Sequence, residues 1–202
     1  MLGLLLSIPG LASAQYRFTR IDVPGTTGAG PFEGTGANGN SVNKIVGDFF
    51  DGQTNHGFIW RKGVFTTFNV PKDHPEFGTV AMGINDIGEV VGNFVDVSGD
   101  NFHRHGFLRS SKGTFTTFDV PGRTFTSPTG INNSGQIVGF YADDNFFFHG
   151  FVLNKGVFTT VDVDFLEASE TQVLSINAKG EIVGAYFEAN GTRHGFLGTP
   201  VR

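Results

Sequence analysis

Short runs of apolar residues, separated by turn residues, recur along the whole chain. The run at residues 137–141 (IVGFY) is typical of a β-strand, and it is followed by a polar loop and a second run that opens on His-Gly-Phe. A tight Lys-Gly turn then leads into a Thr-rich run such as residues 114–120. A short segment precedes the first run, so the pattern predicts four strands per unit. No stretch has the 3.6-residue period of an amphipathic helix.

The unit repeats with a period near 45 residues. Successive copies of His-Gly-Phe start 49, 44 and 45 residues apart, at His56, His105, His149 and His194. Four antiparallel strands in about 45 residues is the usual size of a propeller blade. Each unit opens near an asparagine, and a residue that tolerates the left-handed conformation follows three positions later, which predicts a tight turn. The opening asparagines are Asn40, Asn85, Asn132 and Asn177.

The two ends of the chain complement each other. The last unit stops after its His-Gly-Phe strand, whereas residues 18–25 (FTRIDVPG) match the fourth strand of another unit, residues 115–122 (FTTFDVPG). We therefore predict an all-β fold, a β-propeller of four four-stranded blades closed by pairing the N-terminal strand with the C-terminal blade. The alternative is that this strand pairs with the next molecule, which gives a swapped dimer or an open fibre.

The domain boundaries follow from these landmarks. Residues 15–202 are expected to form one repeat domain, with blade units at about 37–72, 81–122, 129–165 and 174–202 plus 16–25. Residues 1–14 read as a secretory signal peptide, since an apolar core precedes the small-residue site Ala12-Ser13-Ala14. This predicts a secreted protein, extracellular or periplasmic, with no membrane association after cleavage.

Composition agrees with many short strands and argues against two classes of partner. The chain has 30 Gly, 23 Phe and no Cys in 202 residues, so its stability must come from core burial rather than disulfides. Its net charge is −5, and it has no basic run. These features disfavour nucleic acid and anionic membrane surfaces as partners.

The repeated text resembles the HAF family of probable extracellular repeats of secreted bacterial proteins. The matching words are His-Gly-Phe, Gly-x-Phe-Thr-Thr-x-Asp-Val-Pro-Gly and Gly-Ile-Asn-x-x-Gly-x-Ile-Val-Gly, which residues 105–139 carry in full. The resemblance covers nearly all of residues 16–198 and implies export and a repeated β fold. It implies no catalytic residues.

The repeated polar residues are interpreted as structural. A ring of four histidines could bind a metal only if it lay at the central axis, but the histidines fall on the third strand out. We expect each imidazole to hydrogen-bond to backbone groups. Four further equivalent positions at the end of the Thr-rich strand are expected to bond to turn amides. They are Asp22, Asn69, Asp119 and Asp162.

The loops before His-Gly-Phe are rich in Asp and Asn, which are ligands that Ca²⁺ prefers. No loop has the spacing of a known calcium motif, so we interpret them as solvated turns and predict no cofactor. Binding is expected where the repeat breaks, because exposed aromatic residues beside polar loops suit glycan or protein contacts. The positions concerned are Trp60, His103, Arg104, Phe146, Phe147 and Phe148.

These observations predict a non-catalytic structural or binding module. The first alternative is a self-assembling subunit of an extracellular filament or matrix, linked through its N-terminal strand. The second is a sugar hydrolase or lyase, which would need an acid/base pair unique to one unit. Only Glu167 with Glu170, or His74 with Glu76, offers such a cluster.

Overall fold

The chain is all-β wherever it is described. The structure, a computed structural model, describes residues 17–26, 34–71, 73–74, 76–98, 101–165 and 167–201. In these ranges fifteen strands form four antiparallel sheets, and none of the residues is helical. The described residues therefore contain no helix long and apolar enough to cross a membrane. The predicted signal peptide lies outside the described residues.

Each sheet is a meander in which strands adjacent in sequence are paired. Sheet one contains β1 (Gly34–Ser41), β2 (Lys44–Phe50), β3 (Asn55–Arg61) and β4 (Val64–Phe68). Sheet two contains β5 (Thr79–Ile84), β6 (Val90–Ser98), β7 (Asn101–Arg109) and β8 (Phe115–Phe118). Sheet three contains β9 (Thr126–Ile131), β10 (Ile137–Ala142), β11 (Phe148–Asn154) and β12 (Val157–Val161). Sheet four contains β13 (Ala168–Ile176), β14 (Ile182–Glu188) and β15 (Arg193–Gly198).

The first strand of every sheet begins before the predicted start of its unit. β1, β5, β9 and β13 begin at residues 34, 79, 126 and 168, whereas the sequence pattern placed the unit starts at 37, 81, 129 and 174. β1, β9 and β13 are rich in glycine and polar residues, so they carry little of the apolar alternation by which strands are recognised. Backbone pairing with the second strand extends them beyond their apolar residues.

The predicted tight turns are present. Asn43 stands where the other units have glycine, and its φ of 59° is left-handed like the 96° of Gly88. Asparagine tolerates this conformation because its short polar side chain bonds locally. Lys62 and Lys155 also have positive φ and precede a left-handed glycine, which is the geometry of the type I′ turn that suits a two-residue hairpin.

The hydrophobic core lies between successive sheets. One apolar cluster joins sheets one and two, a second joins sheets two and three, and a third joins sheets three and four. The phenylalanines of the first three His-Gly-Phe words, Phe58, Phe107 and Phe151, are fully buried. Complete burial of such a side chain contributes about 1.5–3 kcal/mol, and Phe107 and Phe151 belong to the first and second of these clusters.

The glycine of His-Gly-Phe is required by close packing. A Cβ on Gly106 would lie 2.6 Å from the ring of Phe118 and 2.8 Å from Cγ of Pro128, and a Cβ on Gly57 would lie 2.6 Å from the ring of Phe68. In both sheets the fourth strand therefore packs directly over this glycine. At Gly195 in sheet four, the nearest described atom to such a Cβ is a backbone oxygen at 3.8 Å.

Sheet four differs from the others in having three strands and one uncovered face. Val183 is 45% exposed, whereas the equivalent Val46, Val91 and Val138 are fully buried against the following sheet. Leu197 on β15 is 67% exposed, whereas its equivalent Leu108 packs against the second core cluster. Residues 16–25 are predicted to supply the fourth strand, and their described part, residues 17–25, forms no strand.

The N-terminal segment is nevertheless held like the end of a fourth strand. The backbone N–H of Val70, just after β4, donates to the hydroxyl of Thr79 on the next sheet, and Val120 and Val163 make the same bond to Thr126 and Thr171. The N–H of Val23 donates to the hydroxyl of Thr35 on β1 at 3.0 Å. Residues 17–23 thus precede sheet one as the other fourth strands precede their next sheets.

The four first strands surround a common space. β1, β5, β9 and β13 together line one cavity of about 300 Å³ through equivalent residues, including Asn38, Gly83, Gly130 and Ser175. Sheets one and four therefore both border the same cavity, although they are the furthest apart in sequence.

We expect Gly106→Ala to lower the free energy of unfolding by about 1–3 kcal/mol, because the added methyl group overlaps Phe118 and Pro128. Urea denaturation of the variant and the parent measures the change. The surface variant Lys112→Ala serves as the control and should stay within about 0.5 kcal/mol of the parent. A neutral Gly106→Ala would contradict the close approach of β8 to β7.

Candidate functional site

Each histidine of the repeated word lies on the third strand of its sheet, and in sheets one to three it contacts a polar side chain after the fourth strand. His105 Nδ1 lies 2.8 Å from Asp119 Oδ2, and His149 Nδ1 lies 3.0 Å from Asp162 Oδ2. In sheet one the partner is an amide, with His56 Nδ1 2.8 Å from Asn69 Oδ1. The contact therefore links the third strand to the chain that leaves the fourth.

Each imidazole also stacks on an aromatic ring of the second strand. The ring centroids are 4.8–5.3 Å apart, and the interplanar angles are between 18° and 30°. The stacked pairs are Phe49–His56, Phe94–His105, Tyr141–His149 and Tyr186–His194. A histidine that is bonded on one edge and stacked on one face is fixed in orientation, so its role in the repeat is structural.

Two expectations about these groups were wrong in detail. The imidazoles contact side chains rather than backbone groups, because strand pairing already uses the backbone of the third strand. Correspondingly, Asn69, Asp119 and Asp162 contact these imidazoles rather than turn amides. The fourth member, Asp22, forms an ion pair with Arg20 instead. His194 contacts Glu188 through Nε2 at 2.8 Å, and its Nδ1 has no hydrogen-bond partner among the described residues.

The asparagine that opens each unit organises a turn and joins neighbouring sheets. Asn85 Oδ1 accepts from the N–H groups of Gly88 and Glu89, while its Nδ2 donates to the backbone oxygen of Asn132 at 3.2 Å. Asn132 makes the equivalent bond to the backbone oxygen of Asn177 at 3.1 Å. Asn40 instead lies within β1, which continues to Ser41 and turns at Val42–Asn43, and it lines the cavity between the first strands.

The acidic loops before His-Gly-Phe are turns closed by their own carboxylates. Asp51 Oδ1 accepts from the N–H groups of Gln53 and Thr54, and its Oδ2 lies 3.0 Å from His56 Nε2. These hydrogen bonds, the one from Thr54 first, lower the pKa of Asp51 to about 2. Asp143 holds the equivalent turn of sheet three in the same way. In the described part of the chain no three His, Asp or Glu side chains are grouped to hold a metal ion.

The exposed aromatic side chains gather at the end of the sheets that carries these turns. The rings of Phe77 and Phe102 are 5.3 Å apart and perpendicular. Arg104 follows Phe102 by two residues on β7. Its guanidinium carbon lies 4.9 Å from the ring centroid of Phe125. The ring of Phe125 is in turn 5.5 Å from that of Phe148. We call this surface, Phe77, Phe102, Arg104, Phe125, Phe146, Phe147 and Phe148, the aromatic face.

Phe146 is the most exposed ring of the aromatic face. It sits in the β10–β11 turn with a φ of 65°, a conformation that is unfavourable for a bulky side chain, and it is 80% exposed. The neighbouring Phe147 is 46% exposed. Exposed rings in a strained turn gain little from folding, so they are candidates for contacts with another molecule.

Two residues of the predicted binding set lie elsewhere. Trp60 is at the opposite end of its strand, beside the Lys62–Gly63 turn, and is half-buried. His103 lies on the other side of β7 from Arg104, because successive side chains alternate, and its ring is 6.0 Å from that of His105. The structure thus links Arg104 to Phe148 through the ring of Phe125, with Phe146 and Phe147 in the adjoining β10–β11 turn, and separates them from Trp60 and His103.

The clusters considered for catalysis show no acid/base geometry. His74 Nδ1 accepts from the backbone N–H of Glu76 at 3.2 Å, and Glu170 accepts from the backbone N–H of Phe148. Each side chain thus stabilises local backbone, and neither contact pairs an acid with a base.

Several members of these sites were not found from the sequence. Phe77, Phe102 and Phe125 lie in different loops and strands, and only the fold brings them together. A signal for the histidine stacking was present, because an aromatic residue follows the Val-Gly glycine by two positions in every unit. Comparison of the chain with models of known protein families and with curated proteins finds no match.

The lowered pKa of Asp51 predicts an acid-sensitive turn. A carboxyl group whose pKa is lower in the folded than in the unfolded state stabilises the fold above its unfolded value of about 4, and this stabilisation is lost as the pH falls towards 2. Urea denaturation at pH 5 and pH 2.5 measures the loss in the parent and in Asp51→Asn. The loss should be smaller in the variant, and an equal loss would contradict the proposed role of Asp51.

Proposed function

We propose that this protein is a secreted, non-catalytic β-propeller that serves as a binding module, with the aromatic face as its ligand surface. The observation that carries the proposal is the exposure of Phe146 and Phe147 in the turn that leads to Phe148, whose ring contacts the Arg104–Phe125 pair. Aromatic and Arg side chains are the residue types enriched where protein surfaces bind other molecules. The ligand that suits such a surface is a glycan or a protein segment.

The repeat supports a role without catalysis. The imidazole–carboxylate contacts occur in equivalent places in successive sheets, and each imidazole is stacked on a ring. A catalytic acid and base would need to be set apart from this pattern in one unit.

We also propose that the four sheets are the blades of a ring that residues 18–22 close. The other sheets supply the register, since Gly106 pairs with Phe118 and Leu108 with Thr116. Alignment of the N-terminal segment on this pattern pairs Gly195 with Ile21 and Leu197 with Thr19. Strand pairing of this kind would give β15 the fourth strand that it lacks and remove an exposed sheet edge.

Three features support closure within one chain. Val23 is already held against Thr35 on β1, and sheets one and four border the same cavity. Position 195 keeps the glycine that the other sheets need beneath their fourth strand, where a Cβ would overlap that strand. Closure in this register would also bring the carboxylate of Asp22 to Nδ1 of His194, which completes the fourth histidine pair.

The alternative is strand donation to a second molecule, which would make the protein a subunit of an extracellular filament. The unpaired edge of β15 and the exposed Leu197 favour this reading, because an open apolar edge is a template for strand addition. The two readings use the same register and differ only in which molecule supplies residues 18–22.

A cross-link distinguishes the two readings. The chain has no natural cysteine, so Thr19→Cys with Leu197→Cys introduces a single designed pair. Closure within one chain predicts an oxidised monomer that migrates faster on non-reducing gels, and strand donation predicts a ladder of cross-linked oligomers. The out-of-register pair Thr19→Cys with Arg193→Cys is the control, and cross-linking no better than this control would contradict both readings.

The binding role predicts that Phe146→Ser with Phe147→Ser weakens ligand binding by about tenfold or more, because buried aromatic contacts dominate interface energies. Isothermal titration with cellohexaose, xylohexaose and chitohexaose measures binding to the parent and the variant. Val157→Ser, which removes a 65% exposed apolar side chain at the opposite end of its sheet, is the matched control. Equal affinities of the parent and the double variant, or an equal loss in the control, would contradict the assignment of the aromatic face.

A further inference from the structure

A second concave surface lies between sheets one and two, at the end opposite the aromatic face. It has a volume of about 510 Å³ and is bordered by the Lys62–Gly63 turn, by Gly88 and by Ser111. Four of its lining side chains are cationic, and none is acidic. They are Lys44, Arg61, Lys62 and Arg109.

The repeat provides an internal comparison for this pocket. Sheets three and four form a groove of about 620 Å³ in the same position. There Gln136 replaces Lys44, Asn154 replaces Arg61, and Gly198 replaces Arg109, so the described lining carries no charge. The fold therefore needs a groove at this place but does not need cations in it. Of these two grooves, only the first has a positively charged lining.

Among the four cations, Arg109 has a partly buried guanidinium that packs against an aromatic ring. Its guanidinium carbon lies 5.1 Å from the ring centroid of Phe68, and its Nε is buried without a hydrogen-bond partner among the described residues. Its Nη1 makes one long contact, 3.5 Å, to the backbone oxygen of Ser110. Burial lowers the pKa of Arg109, which reflects the cost of removing its charge from water.

The other cations also lack acidic partners. None of Lys44, Arg61 and Lys62 forms an ion pair with a carboxylate of the described residues. Asp86 lies close to Lys44, because its backbone oxygen accepts from Lys44 Nζ at 3.4 Å. Its carboxylate bonds to Ser41 and Asn133; these contacts, and to a smaller extent the positive charge of Lys44, lower the pKa of Asp86. Asp86 therefore stays charged at neutral pH and offsets part of the charge of Lys44.

We propose that this pocket binds the oxyanion of a small organic molecule. The guanidinium fork of Arg109 matches the geometry of a carboxylate, sulfate or phosphate group, and Lys44 and Arg61 add charge around it. Ile59, Val64 and Ile87 supply an apolar wall for the rest of the ligand. The volume lies within the usual range of small-molecule sites, which is roughly 300–1,000 Å³. The site is distinct from the aromatic face, so the two proposals stand or fall separately.

The test uses three anions that share this chemistry and one neutral control: D-glucuronate, inorganic sulfate, inorganic phosphate and D-glucose. NMR titration in 50 mM NaCl follows the backbone amides and the Nε–H signal of Arg109. Glucuronate, or sulfate or phosphate, should shift the Arg109 Nε–H signal and the amides of Gly88 and Ser111, whereas glucose should not. The ranking of the three anions shows whether a sugar acid or an ester-type oxyanion is preferred.

The variants copy the residues at the equivalent positions of sheet three and should therefore fold. Lys44→Gln with Arg61→Asn takes the residue types of sheet three, and Arg109→Leu takes that of Leu153. Each variant should bind the preferred anion about tenfold more weakly or worse, which corresponds to the loss of a charge-assisted hydrogen bond. Lys155→Gln removes a cation outside the pocket and should bind as the parent does.

The proposal is overturned if no anion shifts the Arg109 signal at 10 mM. It is also overturned if Lys155→Gln weakens binding as much as the pocket variants do, because the effect would then arise from net charge. Unchanged binding in Arg109→Leu, with an unchanged thermal midpoint, would exclude the pocket as the site.

Discussion

The burial of one face of each sheet against the next sheet is the constraint on which the rest of the molecule depends. A sheet of three or four short strands cannot cover its own apolar residues, so Phe107 and Phe151 are buried in clusters that two neighbouring sheets share. The glycine beside each of them lets the fourth strand approach. The asparagine turns and the Val–Thr hydrogen bonds then fix how far one sheet stands from the next. The same requirement leaves Val183 as the one exposed member of its set.

Much of this organisation is visible in the sequence because it is local and repeated. The strand content, the left-handed turn at Asn43 and the incomplete last unit follow from patterns within 45 residues. The hydrogen-bond partners of the histidines do not follow from such patterns. Whether His105 bonds to a backbone group or to Asp119 depends on which backbone groups strand pairing has already used. The predicted starts of the first strands also lie several residues after the observed ones, because glycine and polar residues in β1, β9 and β13 interrupt the apolar alternation. The aromatic face was predicted in part, as Phe146–Phe148, but Phe77 and Phe125 join it only through three-dimensional packing.

Repetition also separates structural residues from candidate functional ones. A side chain that recurs in equivalent places, such as the imidazole of His-Gly-Phe, is explained by the contacts that every unit needs. Positions that depart from the repeat have no such explanation, and two groups of them cluster at opposite ends of the sheets. One group is aromatic and the other is cationic, so the two ends of the molecule differ in the chemistry that they present.

The hydrogen bond between Val23 and Thr35 has a consequence for how the chain folds. In the proposed closed ring, pairing of the N-terminal segment with β15 would join residues separated by nearly the whole chain, and the conformational entropy lost in closing such a loop would delay this contact. Val23 and Thr35 are only 12 residues apart, so this bond forms early and holds the N-terminal segment at the edge of sheet one. In that arrangement the last strand would dock onto a segment already held in place rather than search for a free chain end. Folding from the N-terminus during synthesis would follow the same order.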